Sequence, residues 1–201
     1  MTNDEGQITN DPILKPVIAE IGPYRPGKRF QQSDLFSVLS WAIISQQISL
    51  KAANTVYQRL LDLYGDGEFT PENLLATSEE ELRQIGLTRP KISYLRDLAQ
   101  KAIATLPPLD TLNTLDDEAV IALLTQVKGI GRWTAQMLLI FRLNRLDVLP
   151  VDDLGVKRAI QKLYNLDTLP NKTTIERIAE PWRPYRSVAV WYLWRSLGQQ
   201  I

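Results

Sequence analysis

Apolar residues recur along the chain at the three- and four-residue spacing of one helical face, which predicts a succession of amphipathic helices. The clearest groups are Leu35–Ile43, Ala52–Leu63 and Ile92–Ile103, and Pro90 suits the first turn of the third. Further helices are predicted over residues 116–126, 132–143, 154–164 and 186–197. Because no segment alternates with the period of two that marks a strand, the sequence predicts an all-α fold.

Two local signals mark where the helices begin and end. Ser78 with Glu81 three residues later has the pattern of a capping box, which predicts a short helix ending near Gly86. The Pro107-Pro108 pair interrupts the helical pattern, and it is where composition alone would divide the chain.

Two residue types are missing, and their absence narrows the possible chemistry. The 201 residues include no cysteine and no histidine. Disulfides, iron–sulfur clusters, Cys/His zinc sites and histidine-based nucleophilic triads are therefore excluded. Catalysis would have to use carboxylates, Lys, Arg, Tyr, Ser or Thr, a carboxylate-held metal or a bound cofactor.

The net charge is zero, but the charges are unevenly placed. Residues 1–127 hold 11 basic and 17 acidic residues, a net of −6, and residues 128–201 hold 12 basic and 6 acidic, a net of +6. Zero overall charge argues against a nucleic-acid partner, whereas a basic C-terminal part favours one. Chance segregation on solvated helix faces is the alternative.

The sequence Val127-Lys128-Gly129-Ile130-Gly131-Arg132 separates two predicted helices. Two glycines flanking one apolar residue permit a tight turn that exposes backbone N–H groups, and the next helix directs its positive end the same way. With Lys128 and Arg132 beside it, this turn predicts a phosphate-binding nest, in which Ile130 would hold the hairpin shut. A plain helix–helix turn is the alternative.

Asp152 and Asp153 precede the helix predicted from residue 154. Aspartate is among the best N-cap residues, so one of the pair can be explained as a cap. Two adjacent residues cannot both cap one helix, and the other acid is either solvent-exposed or part of a site. A carboxylate among basic residues suits stabilisation of a developing cation or orientation of an attacking water.

Tryptophans offer a third candidate feature. Trp191 and Trp194 share a helical face, and packing in the core is the simpler fate of most of the five tryptophans. Trp133 directly follows the hairpin, where an aromatic ring is placed to stack on a base.

Four blocks together resemble the helix-hairpin-helix DNA glycosylase superfamily, and within it the 3-methyladenine DNA glycosylase II branch. The blocks, in chain order, are Ile44–Ser49, Val127–Ala135, Leu149–Arg158 and Trp182–Ser187. The resemblance implies two helical subdomains with DNA bound in a cleft between them. One would comprise residues 30–146 and end in the helix-hairpin-helix of residues 127–143; the other would combine residues 1–29 with 147–201.

The superfamily pattern D-x-x-[VI]-x-R implies that Asp153 is the catalytic residue, because Val156 and Arg158 follow it at the matching places. Asp152 is then a cap or a support. Relatives that also cleave the strand carry a lysine where this chain has Trp133. Without that amine no Schiff base forms there, so the resemblance implies a monofunctional enzyme.

The resemblance also implies a base pocket and a DNA-binding surface. Trp133, Met137 and Trp194 match the positions that line the alkylbase pocket, although Met137 stands where an aromatic is often found. Gln47 matches the wedge that fills the gap left by the flipped base. The expected DNA contacts are Gln47, Lys128, Gly129, Ile130, Gly131, Arg132 and Thr134.

The partner implied is duplex DNA with alkylated bases, acted on by a monomer without a cofactor or catalytic metal. A structural monovalent cation at the hairpin carbonyls is seen in relatives. The longest apolar stretches fall far short of the roughly 20 residues that span a bilayer, which favours a cytoplasmic protein, nucleoid-associated if bacterial. The alternatives are a non-catalytic DNA-binding module with the same hairpin and a glycosylase for uncharged lesions.

Overall fold

The computed structural model describes residues 8, 10–26, 34–65 and 68–199, and within these ranges it contains helices and no strand. The all-α prediction is therefore confirmed. The helices are α1 (Leu14–Ile21), α2 (Leu35–Ser45), α3 (Leu50–Asp62), α4 (Pro71–Ala76), α5 (Glu79–Gln84), α6 (Arg89–Ala104), α7 (Leu109–Thr114), α8 (Asp117–Leu124), α9 (Arg132–Phe141), α10 (Leu154–Leu163), α11 (Lys172–Ala179) and α12 (Arg186–Ser196), with a 3₁₀ turn at Glu180–Trp182.

Polar side chains begin most of these helices as expected. Ser78 and Glu81 form the predicted capping box at α5, and Asp34, Ser49 and Asp116 each accept a backbone N–H of the first turn of α2, α3 and α8. Four helices, α1, α4, α7 and α11, were not predicted. They have six or eight residues each, too few turns for a distinct apolar period.

The chain divides into two compact units, one drawn from Met1–Arg29 and Gln136–Ile201 and the other from Phe30–Ala135. The sequence placed residues 136–146 with the hairpin, whereas the structure places them in the other unit, so the division falls inside α9. Neither unit has a helix long and apolar enough to cross a membrane, as far as its residues are described.

Helix α6 is the centre of the unit formed by residues 30–135. Helices α2, α4 and α5 pack against it, and its inward residues Ile92, Leu95 and Leu98 are buried. The Lys91 ammonium, also on α6, donates to the carbonyl of Ile44 at 2.6 Å, in the last turn of α2. Burial lowers the pKa of Lys91 from its ordinary value. These contacts join α6 to the chain segment that carries Gln47.

Helix α12 is the centre of the other unit, with α1 and α10 against it. All residues from Ser187 to Trp194 are buried, which identifies α12 as a core helix with no solvent face along that stretch. The Ser187 hydroxyl donates to the Arg145 carbonyl at 2.6 Å and accepts the Val148 N–H at 2.9 Å. Arg186 donates to the Asp147 carboxylate at 2.7 Å. The loop that leads to Asp153 is thereby tied to the core.

Candidate active site

The predicted hairpin is a closed turn with a buried apolar plug. The Ile130 N–H donates to the Val127 carbonyl at 3.0 Å, and the Ala135 N–H donates to the Gly131 carbonyl at 3.1 Å. Val127 and Ile130 are buried, whereas Lys128, Gly129, Gly131 and Arg132 are exposed. Ile130 therefore holds the turn from inside as expected, and its side chain faces the core. Thr134, on the first turn of α9, is half-buried.

Gly129 is required by both conformation and space. Its φ of 81° lies in the left-handed region. A Cβ there would lie 2.4 Å from Cδ2 of Tyr94, a separation that real atoms do not adopt. The Tyr94 ring, on α6, thus forms the floor of the hairpin. Its role had no signal in the sequence, because Tyr94 and Gly129 lie far apart along the chain.

Arg132 does not extend freely from the hairpin. Its guanidinium forms a two-point ion pair with the Glu118 carboxylate on α8, one contact being Nη1 to Oε2 at 2.9 Å. Both side chains are more than half exposed, so the pair is worth at most about 1 kcal/mol. Because the pair is weak, another anion such as a phosphate can replace Glu118 at this modest cost.

We expect Glu118→Gln to raise the affinity for undamaged duplex DNA by about two- to fivefold at low salt, because Arg132 loses its competing anion. Fluorescence anisotropy across a salt series measures the change. Glu80→Gln, which removes an equal charge from the exposed face of α5, is the matched control. Equal affinity gains in the two variants would mean that the ion pair does not restrain Arg132.

Gln47 lies in the turn between α2 and α3, exposed and with φ of 58°. A residue with a side chain in the left-handed region costs roughly 1–2 kcal/mol, and such residues concentrate at functional positions. The neighbouring Gln46 was not identified from the sequence. Its side-chain Nε2 donates to the Gly129 carbonyl at 2.8 Å, which places the turn bearing Gln47 beside the hairpin.

In the other unit, Asp153 is the N-cap of α10. Its Oδ1 accepts the Val156 N–H at 2.7 Å and the indole Nε1–H of Trp194 at 2.9 Å. Asp153 is buried. The expectation that Asp152 caps this helix is wrong, because only Asp153 has its carboxylate over the first turn. The Asp152 side chain is 80% exposed, and its Oδ1 lies 3.7 Å from the Lys157 ammonium.

The predicted pocket residues have different environments. Trp194 is 3% exposed and stacks on Phe141, with ring centroids 5.9 Å apart. Met137 is half-buried. Trp133 is 48% exposed, so part of its ring surface is accessible to solvent. Trp194 is placed to hold the Asp153 carboxylate rather than to present an open face.

Gly155 completes the surroundings of Asp153. A Cβ on this residue would lie 3.0 Å from Asp153 Oδ1, 3.0 Å from Trp194 Cδ1 and 3.1 Å from Gln199 Nε2. The absence of a side chain at position 155 lets the indole reach the carboxylate. This contact could not be predicted from the sequence, where Gly155 is only a small residue in the first turn of a predicted helix.

Comparison with known proteins identifies the family of this chain. Residues 40–184 match the HhH-GPD superfamily base excision DNA repair protein family, which is most of the chain. The chain belongs to this superfamily. DNA-3-methyladenine glycosylase 1 of Schizosaccharomyces pombe is 38% identical over 188 residues, covering 92% of this chain and 82% of the relative. The recognition made from the four sequence blocks is thereby confirmed.

Solved structures of the HhH-GPD superfamily show the same fold. The S. pombe 3-methyladenine DNA glycosylase in complex with abasic DNA has a TM-score of 0.88 at 35% identity and covers 98% of both chains. The DNA-3-methyladenine glycosidase of Bacillus halodurans has a TM-score of 0.87 at 34% identity, covering 98% of this chain and 90% of its own.

Proposed function

We propose that this protein is a base-excision-repair DNA glycosylase that hydrolyses the N-glycosidic bond of alkylated purines, of the 3-methyladenine and 7-methylguanine type, in duplex DNA. Membership of the superfamily and the names of its relatives support this function. The observation that carries it is the Asp153 carboxylate, buried and oriented by the Val156 N–H and the Trp194 indole. In a chain without histidine, this carboxylate is the proposed catalytic group.

The substrate must first be rotated out of the helix, since the bond to be cut is shielded within the duplex. An N3- or N7-alkylated purine carries a positive charge and is drawn to an electron-rich indole face by roughly 0.5–2 kcal/mol. The exposed Trp133 is the proposed stacking surface, and Met137 adds a polarisable apolar contact. Gln47 is the proposed wedge that occupies the vacated place in the stack.

The positive charge on the base also supplies the activation of the leaving group. As the bond from C1′ to nitrogen breaks, its electron pair neutralises the base, and the sugar acquires oxocarbenium character. The Asp153 carboxylate stabilises that cation and orients a water, whose oxygen forms the new bond to C1′. The water proton passes to the carboxylate or to solvent. No general acid is required, which agrees with a chain that has no histidine.

Asp153 distinguishes this function from that of a non-catalytic hairpin module. A protein that only binds DNA needs Asp153 for no more than the N-cap of α10, and a carboxylate on its DNA-binding surface would repel phosphate. A glycosylase for uncharged lesions usually reads the base through hydrogen-bonding groups, whereas the residues assigned to the pocket are aromatic or apolar. Both alternatives are therefore less well supported than alkylbase excision.

Several finer points belong to the same proposal. Trp133 stands where a Schiff-base lysine would be, so the enzyme is monofunctional, and it acts as a monomer without a cofactor or catalytic metal. The proposed location is the cytoplasm, at the nucleoid if the source is bacterial. A monovalent cation at the hairpin would share carbonyl oxygens of Val127, Gly129 and Gly131, each of which already accepts one hydrogen bond.

We expect the protein to release 3-methyladenine from methylated duplex DNA and to leave an intact strand with an abasic site. Chromatography of the released bases identifies the product, and denaturing electrophoresis before and after alkali treatment detects the abasic site. Strand cleavage without alkali or heat would contradict the monofunctional assignment, and release of uracil or hypoxanthine in place of methylated purines would support the alternative glycosylase.

A further inference from the structure

Asp97, on α6, is a buried carboxylate that the proposed chemistry does not use. It is 8% exposed. Its Oδ2 accepts the Lys101 ammonium at 2.7 Å and the backbone N–H of Lys128 at 2.8 Å. The second of these bonds joins α6 to the first residue of the hairpin that follows buried Val127. The Asp97 side chain therefore contacts the main chain of the proposed DNA-binding turn.

The side chain of Lys128 is held much less closely. Its Nζ lies 3.8 Å from Asp97 Oδ1, and the side chain is 66% exposed. The Asp97 carboxylate bonds more strongly to the Lys128 N–H at 2.8 Å than to the Lys128 ammonium at 3.8 Å. Asp97 thus restrains the backbone of Lys128 while the ammonium remains available to a phosphate.

Two other contacts restrain the same turn. Gln46 donates to the Gly129 carbonyl at 2.8 Å, and the Tyr94 ring lies directly under Gly129. Asp97 holds an N–H, Gln46 holds a carbonyl, and Tyr94 limits inward movement. The hairpin is consequently fixed from three sides by residues of α6 and the end of α2.

Attraction to DNA gives no reason for a carboxylate here. An acid beside a loop that binds phosphate weakens the attraction to DNA. Desolvation raises the pKa of Asp97, but hydrogen bonds from Lys101 and Lys128, with the charges of both, bring the pKa below its ordinary value. The group is therefore anionic at neutral pH, and its repulsion of DNA must be offset by another benefit.

We propose that Asp97 is a positioning residue for DNA binding: by accepting the Lys128 N–H it holds the hairpin in the geometry that fits a phosphate. This inference rests on the proposed function, because it assumes that the hairpin binds duplex DNA. It also refines the phosphate nest expected from the sequence. The N–H groups of Lys128 and Ile130 bond within the protein, so a phosphate must be bound by other groups of the turn.

For Asp97→Ala, the proposal and charge alone predict opposite changes in DNA affinity. Asp97→Ala removes a negative charge, which by itself would tighten DNA binding. We expect instead about tenfold weaker binding, because the Lys128 N–H loses its charged acceptor and the hairpin its preferred geometry. Asp97→Asn keeps an oxygen acceptor, and we expect its affinity to lie within about threefold of the original protein.

Anisotropy with a duplex that contains a tetrahydrofuran abasic analogue measures these affinities. Asp110→Ala removes an equal charge from an exposed position on α7 and serves as the control. Single-turnover kinetics on methylated DNA separate binding from chemistry. A positioning role raises the DNA concentration at half-maximal rate about tenfold and leaves the maximal rate within twofold, whereas a merely destabilised fold lowers the active fraction.

Amide hydrogen exchange of the unaltered protein keeps the test independent of how well the variants fold. The Lys128 N–H should exchange slowly, as a hydrogen-bonded amide does. Fast exchange at Lys128, or Asp97→Ala binding as tightly as the Asp110 control, overturns the proposal. Equal weakening in the Ala and Asn variants also overturns it, since the acceptor would then be irrelevant. If the unaltered protein fails to bind the duplex, the proposed function fails instead.

Discussion

Asp153→Asn should lower the rate of base release by about 10²–10³-fold, the usual cost of removing one electrostatic group from a transition state. Stability should change little, because asparagine caps helices about as well as aspartate. The amide oxygen still accepts the Val156 N–H and the Trp194 indole N–H, so the position of the side chain is retained while its charge is lost. Single-turnover release of methylated purines measures the rate.

Asp152→Asn is the matched control for this experiment. The Asp152 side chain is exposed and lies 3.7 Å from Lys157, so its neutralisation should change the rate by less than about threefold, as is usual for exposed ion pairs. Both variants should bind an abasic-analogue duplex with nearly unchanged affinity. A larger loss of activity at Asp152 than at Asp153 would reverse the catalytic assignment.

Gly129→Ala should destabilise the protein by about 2–4 kcal/mol, the combined cost of a left-handed alanine and of forcing a methyl group into packed atoms. The new Cβ would meet the Tyr94 ring at 2.4 Å, so either Tyr94 or the hairpin must move. DNA affinity should fall along with stability if the hairpin moves, because the hairpin is the proposed phosphate-binding turn. Urea denaturation measures the loss of stability.

Gly131→Ala is the control, since it makes the same chemical change two residues later in the same turn. Nothing lies within 4 Å of a Cβ at that position, and its φ is not positive. Its stability should stay within about 1 kcal/mol of the original protein. If the two variants lose equal stability, the contact between Gly129 and Tyr94 is not what fixes the turn.

Much of the site could be predicted because its signals are local. The hairpin is specified by two glycines around a buried isoleucine, and its closing bonds join residues three or four apart. The match to the superfamily pattern selects Asp153 over Asp152, because Val156 and Arg158 follow Asp153 at the matching places. The structure shows Asp153 capping α10 with its carboxylate against the Val156 N–H.

The roles of the two acids were less well predicted. Composition and spacing indicate that Asp152 or Asp153 caps α10. They do not show that the capping residue is also buried beside the Trp194 indole. With Asp153 as the catalytic residue, the resemblance leaves Asp152 as a cap or a support. In the structure Asp153 is both the cap of α10 and the partner of the Trp194 indole, because its Oδ1 accepts the Val156 N–H and the indole N–H together.

The sequence alone determined the all-α class, the hairpin and the pair of acids before α10, because each depends on residues within one or two helical turns of each other. Tertiary structure decided how these parts are held. Asp97 reaches Lys128 across 31 residues, Trp194 reaches Asp153 across 41, and Gln46 reaches Gly129 across 83. Such partners leave no periodic signal, since hydrogen bonds between distant segments depend on how helices pack, and packing brings together residues that no local spacing relates.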